Sequence, residues 1–362
     1  MTHSSPVSRR LAHEAVTPLE DLATRYAVWR SEHPRGYLRN AAAELGTTEL
    51  ELLVATGDAS LVPLRVDDVP GLLAAIAAWG ELRTMTRNDH AVLEQTGRYE
   101  NLEFFGPAMG QTVGSIDLRV FATRWAHAFG QVTEGPRGTR CSIQIFDARG
   151  VNVHKVFTND VAAYERVVQA FALTPRPGGL PEVEQAAPEA VRPDAEIDVE
   201  DLHRRWDALQ DTHDFFGLLR ETGVTRTQAL RLAGAKRAMR LDPGALETAL
   251  EGAAAAGETV MIFVGNHGLV QIYIGAIRRV VRTEGWLNVL DPGFDLHVRD
   301  GGITDAWVVT KPTRHGPVRS LECYGARGET VLQLFGKRTE EASTPAGMGA
   351  ILDRVVEAHG GA

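Results

Sequence analysis

The sequence predicts an α+β fold written twice, as two similar halves that each carry a sizeable antiparallel sheet with flanking helices. Three observations predict it. First, matched residues recur at a nearly constant offset: Asn88/Asn266, Asp117-Leu118/Asp295-Leu296, Ser142/Ser320, Gly150/Gly328 and Phe157/Phe335 are all 178 positions apart. Second, each half opens with helical spacing and continues in short β-branched and aromatic runs. Third, residues 173–200 hold five prolines and several glutamates but almost no large apolar residue, which is linker composition. The organisation expected is therefore an N-terminal repeat over 1–172, a linker over 173–200 and a C-terminal repeat over 201–362. Residues 1–30 are a candidate disordered tail.

The elements follow in order. Residues 36–56 and 72–80 are Ala/Leu-rich with helical spacing, as are 211–221, 226–234 and 244–256 in the second half. Upstream the offset becomes 177, so that Thr48-x-x-Glu51 faces Thr225-x-x-Gln228. Both are capping boxes, which satisfy free backbone N–H groups at a helix start. Strands are expected at 141–146, 151–157, 259–264, 269–274, 279–282, 306–311, 318–324 and 329–335. Turns such as Asp147-Ala148-Arg149-Gly150 should join them as antiparallel hairpins.

Composition narrows the function. The 362 residues are 44% hydrophobic and 23% charged, as in a globular protein with room for two cores. No run approaches the roughly 18 apolar residues of a membrane span, and the N-terminus lacks the apolar stretch of a secretory signal. Two cysteines make neither a disulfide framework nor a four-cysteine metal site, so a reduced cytoplasmic setting is expected. A net charge of −9 argues against general nucleic-acid binding, while leaving room for a local basic pocket. His90, His127, His154 and His267 show no i, i+4 zinc pair. Gly265-Asn266-His267-Gly268 lies between strands and opens no helix, so it is a weak phosphate cradle.

The duplicated halves, together with DTHDFFGLLR (211–220), MIFVGN (261–266), TKPT (310–313) and LFGKRTE (334–340), resemble the cytoplasmic haem-utilisation proteins, the HemS, HmuS and ChuS or hemin-degrading-factor family. The likeness runs from about residue 36 to 340. It implies two β-sheet halves related by a pseudo-twofold and one haem b per chain, held on the C-terminal half with the N-terminal half reaching over it. By that resemblance His213 is the proximal ligand of haem iron. The residues alone also admit an ordinary helix-start histidine beside core aromatics. Arg119 matches the arginine presented to the distal face. A guanidinium has no lone pair to spare, so there it would act as a hydrogen-bond donor rather than a ligand. A surface salt bridge is the alternative role. His297 stands 178 positions after Arg119, so the halves differ in role.

The resemblance assigns the propionate side to Arg226, Lys311 and Arg338, and the pocket lining to Phe263, Gln333 and Phe335. Phe335 departs from the family pattern, in which tyrosine is common there. Two functional classes follow: a haem carrier that takes its cargo from an importer and passes it to an acceptor, or a haem-degrading enzyme supplied by an electron donor, with Arg119 as its distal catalytic residue. The expectation favours binding and trafficking for iron acquisition, with degradation as the alternative. Neither a nucleic-acid partner nor membrane insertion is expected.

Overall fold

The computed structural model describes residues 18–34, 36–136, 138–174, 181–184, 191–338 and 342–361. The helices are α1 (Pro18–Glu32), α2 (Leu38–Leu45), α3 (Glu49–Thr56), α4 (Val69–Ala77), α5 (Val161–Phe171), α6 (Val199–Asp207), α7 (Asp214–Thr222), α8 (Arg226–Leu232), α9 (Ala245–Ala256) and α10 (Ala346–His359). Strands of the first half are β1 (Val62–Leu64), β2 (Leu82–Arg87), β3 (Ala91–Gly97), β4 (Glu103–Phe105), β5 (Met109–Thr112), β6 (Asp117–Phe121), β7 (His127–Gly135), β8 (Gly138–Phe146) and β9 (Asn152–Thr158). The second half repeats them as β10 (Ala238–Leu241), β11 (Thr259–Gly265), β12 (Leu269–Ala276), β13 (Val280–Thr283), β14 (Trp286–Asp291), β15 (Phe294–Arg299), β16 (Asp305–Lys311), β17 (Val318–Tyr324) and β18 (Thr330–Gly336).

The duplicated α+β fold is as expected, and the halves are interlocked. One sheet runs β1-β7-β8-β9-β2-β3-β15-β14-β13 and the other β10-β16-β17-β18-β11-β12-β6-β5-β4. Each therefore takes six strands from one half and three from the other. The joints are antiparallel and equivalent: β15 pairs β3 with Leu296 opposite Leu93, and β12 pairs β6 with Gln271 opposite Leu118.

Two asparagines hold the halves together at the pseudo-twofold. Asn88 donates from Nδ2 to the carbonyls of Gly265 (3.1 Å) and Val331 (2.8 Å). Asn266, its equivalent, donates to the carbonyls of Arg87 (2.9 Å) and Val153 (2.7 Å). Each side-chain oxygen accepts from its own turn, Asn88 from His90 and Ala91, Asn266 from Gly268 and Leu269. The same residue thus shapes a hairpin and ties it to the opposite half.

Local signals account for the helix boundaries. Both capping boxes form, at Thr48/Glu51 and Thr225/Gln228. The apolar stretch 36–56 is two helices because Gly46 turns left-handed at φ 68° and closes α2; Gly223 does the same for α7 at φ 66°. The core lies behind the sheets. α9 and α10 pack on the faces carrying Val260, Ile262 and Val264, and α4 and α5 pack on Ile143, Ile145 and Val156. Residues 82–121 form five strands not expected from sequence, because Thr84, Thr86 and Thr112 are polar side chains buried in the interior.

Part of the expected tail is ordered: Leu22 and Trp29 of α1 pack against Ala41, Ala42 and Leu52, while residues 1–17 lie outside the described residues. Much of the expected linker also lies outside them. Its end forms a 3-10 turn at Asp194–Glu196, with Asp194 bonded by Gln228 (2.7 Å) and Arg231 (2.7 Å). No described helix is long and apolar enough to cross a membrane.

Strand exchange makes a prediction about fragments. Residues 201–362 alone lack β4–β6 and expose the edge of β12, so they should aggregate or dimerise. Co-expression with 1–174 should restore a soluble complex. A stable monomer of 201–362, seen by sedimentation and circular dichroism, would contradict the interlocked arrangement.

Candidate functional site

Alternation along β11 separates two faces. Val260, Ile262 and Val264 enter the core, while Met261, Phe263 and Gly265 face outward and are half-buried. Register then carries the outward face across the second sheet. Phe263 stands opposite Gln333, Met261 opposite Phe335, Phe335 opposite Ser320, and Gln333 opposite Glu322. Towards the other edge Gly265 stands opposite Val270, and Val270 opposite Arg119. Lys311 shares this face through Val309, which pairs with Ser320. Lys311, Gln333, Phe335, Phe263 and Arg119 therefore occupy one surface. Arg119 is there only because β6 crosses from the first half.

Helices α6–α8 cover one end of this face. Phe215, 1% exposed, packs edge-on against Trp206 at 4.8 Å, within a cluster that includes Val309 and Tyr324. His213, two residues earlier, is the N-cap of α7, and its side chain is 86% exposed. Asp211 holds it: one carboxylate oxygen, Oδ1, accepts from the His213 backbone N–H at 2.9 Å and from ring Nδ1 at 2.6 Å. The backbone hydrogen bond is the main cause holding the Asp211 carboxyl below its usual range. Because a carboxylate only accepts, Nδ1 is the donor to Asp211, and in the neutral imidazole this leaves the lone pair on Nε2. Phe216, 73% exposed, follows three residues on, along the same helix flank.

Arg226 and Lys311 are committed inside the protein. Glu322, fully buried, accepts from Lys311 Nζ (2.5 Å), Ser320 Oγ (3.1 Å), Tyr324 Oη (2.5 Å) and Arg226 Nη2 (3.0 Å). Burial pushes the Glu322 carboxyl up, but the Arg226 and Lys311 charges outweigh it and hold the group well below its usual range. Burial is the main cause bringing the Lys311 ammonium down to about 8; Glu322 opposes this, and Arg226 and Arg338 add to it. Both cations also stand over the Phe215 ring, Arg226 at 5.2 Å and Lys311 at 4.7 Å. The cluster thus ties the start of α7 to the sheet.

Arg338 is exposed and donates to Thr212 Oγ1 at 2.8 Å, beside His213. Gln333 has a buried Nε2 without a partner, a donor left open on this face. Phe263 and Phe335 meet edge-to-face at 5.1 Å. Arg119 is half-buried and donates to the carbonyls of Leu118 (2.9 Å) and Thr112 (3.4 Å); among the described residues it has no carboxylate partner. These features suit a flat, aromatic, anionic ring system: an available imidazole, aromatic walls, an unpaired amide donor and exposed guanidinium.

A family model described as the Haemin-degrading HemS.ChuX domain matches the chain twice, at residues 46–171 and 223–346. The chain belongs to the HemS.ChuX domain family. Among its relatives is the hemin transport protein HmuS of Yersinia pestis, 38% identical over 88% of this chain and 92% of HmuS. Holo-PhuS, a heme-binding protein from Pseudomonas aeruginosa, superposes with a TM-score of 0.87 at 39% identity, covering 92% of this chain and 97% of its own. The heme-degrading enzyme ChuS of Escherichia coli O157:H7 gives a TM-score of 0.84 at 34% identity, covering 92% and 98%.

Sequence reasoning missed Asp211, Glu322 and Tyr324. Asp211 had a local signal, an acidic residue two positions before an exposed histidine. Glu322 had none, because its partners lie on α8, β16 and β17. For this HemS.ChuX protein, Glu322→Gln should be destabilising by about 3–5 kcal/mol, since two cations lose their buried counter-charge. Urea unfolding measures this, and adding Lys311→Met should recover part of the loss. Additive effects of the two substitutions would show that Glu322 and Lys311 are not coupled.

Proposed function

We propose that this protein binds one haem b per chain on the outward face of the second sheet, with His213 Nε2 as the iron ligand, and that it traffics haem for iron acquisition. The observation that carries the reading is the Asp211–His213 pair, exposed beside Phe216 and next to an aromatic-lined face with an unpaired donor. Asp211 fixes the tautomer and raises the basicity of the ligating nitrogen. Phe263, Phe335 and Phe216 exclude water from the ring faces. Arg338 takes a propionate by a charge-assisted bond. Arg226 and Lys311 together outnumber Glu322 by one charge and supply a positive field at the same end. Arg119 reaches from the first half as a hydrogen-bond donor on the distal side. Bound haem would supply the redox-active iron.

Degradation is the second reading, favoured by Arg119, whose guanidinium has only the carbonyls of Leu118 and Thr112 as partners among the described residues and could turn to a distal ligand. The partners in either reading are an importer that delivers haem and an acceptor or electron donor that follows. A cytoplasmic location goes with both.

Hemin titration tests the ligand. His213→Ala should shift the Soret band and weaken binding, whereas Arg338→Ala should weaken it roughly ten- to a hundredfold with little spectral change. A wild-type spectrum and affinity for His213→Ala would remove His213 from the site. Reducing the holoprotein with and without catalase separates the two functions: Soret loss that survives catalase supports the enzyme, and a stable band supports the carrier.

Lys311 adds a pH dependence. Its folded value near 8 means the ammonium is charged below that pH and lost above it. Propionate attraction should therefore weaken as pH rises through 8. In Lys311→Met that step in hemin affinity should disappear; an identical pH profile would exclude the contribution.

A further inference from the structure

The first sheet carries an outward face equivalent to the one just described, with different chemistry. Arg87 lies at the end of β2, in the position matched by Gly265 on β11. Its row continues through Val92 to His297, as the other runs through Val270 to Arg119. Tyr37, 66% exposed, is the N-cap of α2 as His213 is of α7, although the residue matched to His213 by the repeat is Gly36. Glu49 opens α3 where Arg226 opens α8. The helix-start charge is therefore reversed between the halves.

The charges around Glu49 do not balance. Glu49 is 5% exposed; its Oε1 accepts from Lys155 Nζ at 2.9 Å, while its Oε2, 3.9 Å from Arg39 Nη1, is buried without a hydrogen-bond partner. Arg39 also pairs with Asp89, which in turn bonds Arg327 at 2.8 Å. Arg87 comes in addition. Its half-buried guanidinium makes no hydrogen bond or ion pair among the described residues, and its Nε is sealed from solvent without an acceptor. Burial lowers it most and repulsion from Arg39 adds to this; attraction to Glu49 opposes both, and the group comes to about 10. Two guanidiniums held together with one unsatisfied is a costly arrangement that a bound anion would relieve.

We propose that this face is a second ligand site, in which Arg87 and Arg39 grip the carboxylate or phosphate group of a small molecule, with Tyr37 at the rim. The site is on the other sheet from His213, so it stands or falls independently of haem binding. Its ligand differs from that of the second sheet, because Gly36 stands at the position matched to His213 and His297 at the position matched to Arg119.

Stability measurements on the full chain test the proposal through the sign of the effect. In low-salt buffer Arg87→Met should melt at or above the wild-type temperature, because an unpaired charge has been removed. Inorganic phosphate or acetate, added in separate arms at matched ionic strength, should raise the wild-type melting temperature saturably and leave Arg87→Met unmoved. The arm with the larger shift identifies the anion class. Arg87→Lys, which keeps the charge but loses the two-pronged donor geometry, should respond at least several-fold more weakly than wild type. If Arg87→Met melts lower than wild type in low salt, Arg87 is simply a counter-ion of Glu49 and the proposal fails. Equal anion responses in wild type and variant would overturn it too.

Discussion

The reciprocal asparagine clasp is the constraint on which the architecture depends. Asn88 and Asn266 each satisfy a tight hairpin with the side-chain oxygen and reach the opposite half with the amide nitrogen. Buried carbonyls at a sheet–sheet junction need donors, and water is excluded there. The clasp supplies them symmetrically. It fixes where β3 meets β15 and where β12 meets β6. Without that junction Arg119 would belong to a different surface from His213.

Each half then secures its helices to its sheet with one buried carboxylate, but with opposite polarity. In the second half the carboxylate, Glu322, is on the sheet and the guanidinium, Arg226, is on the helix. In the first half Glu49 is on the helix and Lys155 on the sheet. A buried ion pair contributes modest net stability, yet removing either partner is expensive, so such a pair resists change. Reversal leaves the helix docking intact while moving the carboxylate from the sheet to the helix.

The interior has diverged as well. In the first half His154 is fully buried between Thr86 Oγ1 at 2.8 Å and Tyr99 Oη at 2.6 Å, and burial brings it down to about 3. It is therefore a neutral member of a polar network. That network extends through Thr86 to Gln271 (2.7 Å) and on to Thr84 and Gln95. The equivalent positions in the second half are Val264, Leu332 and Ile277, all buried in an apolar core. A satisfied polar network specifies orientation more sharply than apolar packing does. The first half therefore carries more of the information about how the two halves meet.

The sequence by itself determined the duplication, the α+β class and both capping boxes, which are local or periodic signals: a fixed offset, helical spacing giving way to extended runs, and a helix-start pattern. The residues of the second sheet's outward face were expected from the family resemblance instead. The sequence did not reveal the exchange of three strands between halves. Residues 82–121 bury threonines and so lack the apolar alternation that marks a strand. Nor could it tell that Arg226 and Lys311 answer first to Glu322. That depends on Arg226, 96 residues before Glu322, and Lys311, 11 residues before it, converging on one buried carboxylate. Pairing at such distances is set by strand register and by which charges are excluded from water, and only the tertiary structure decides those.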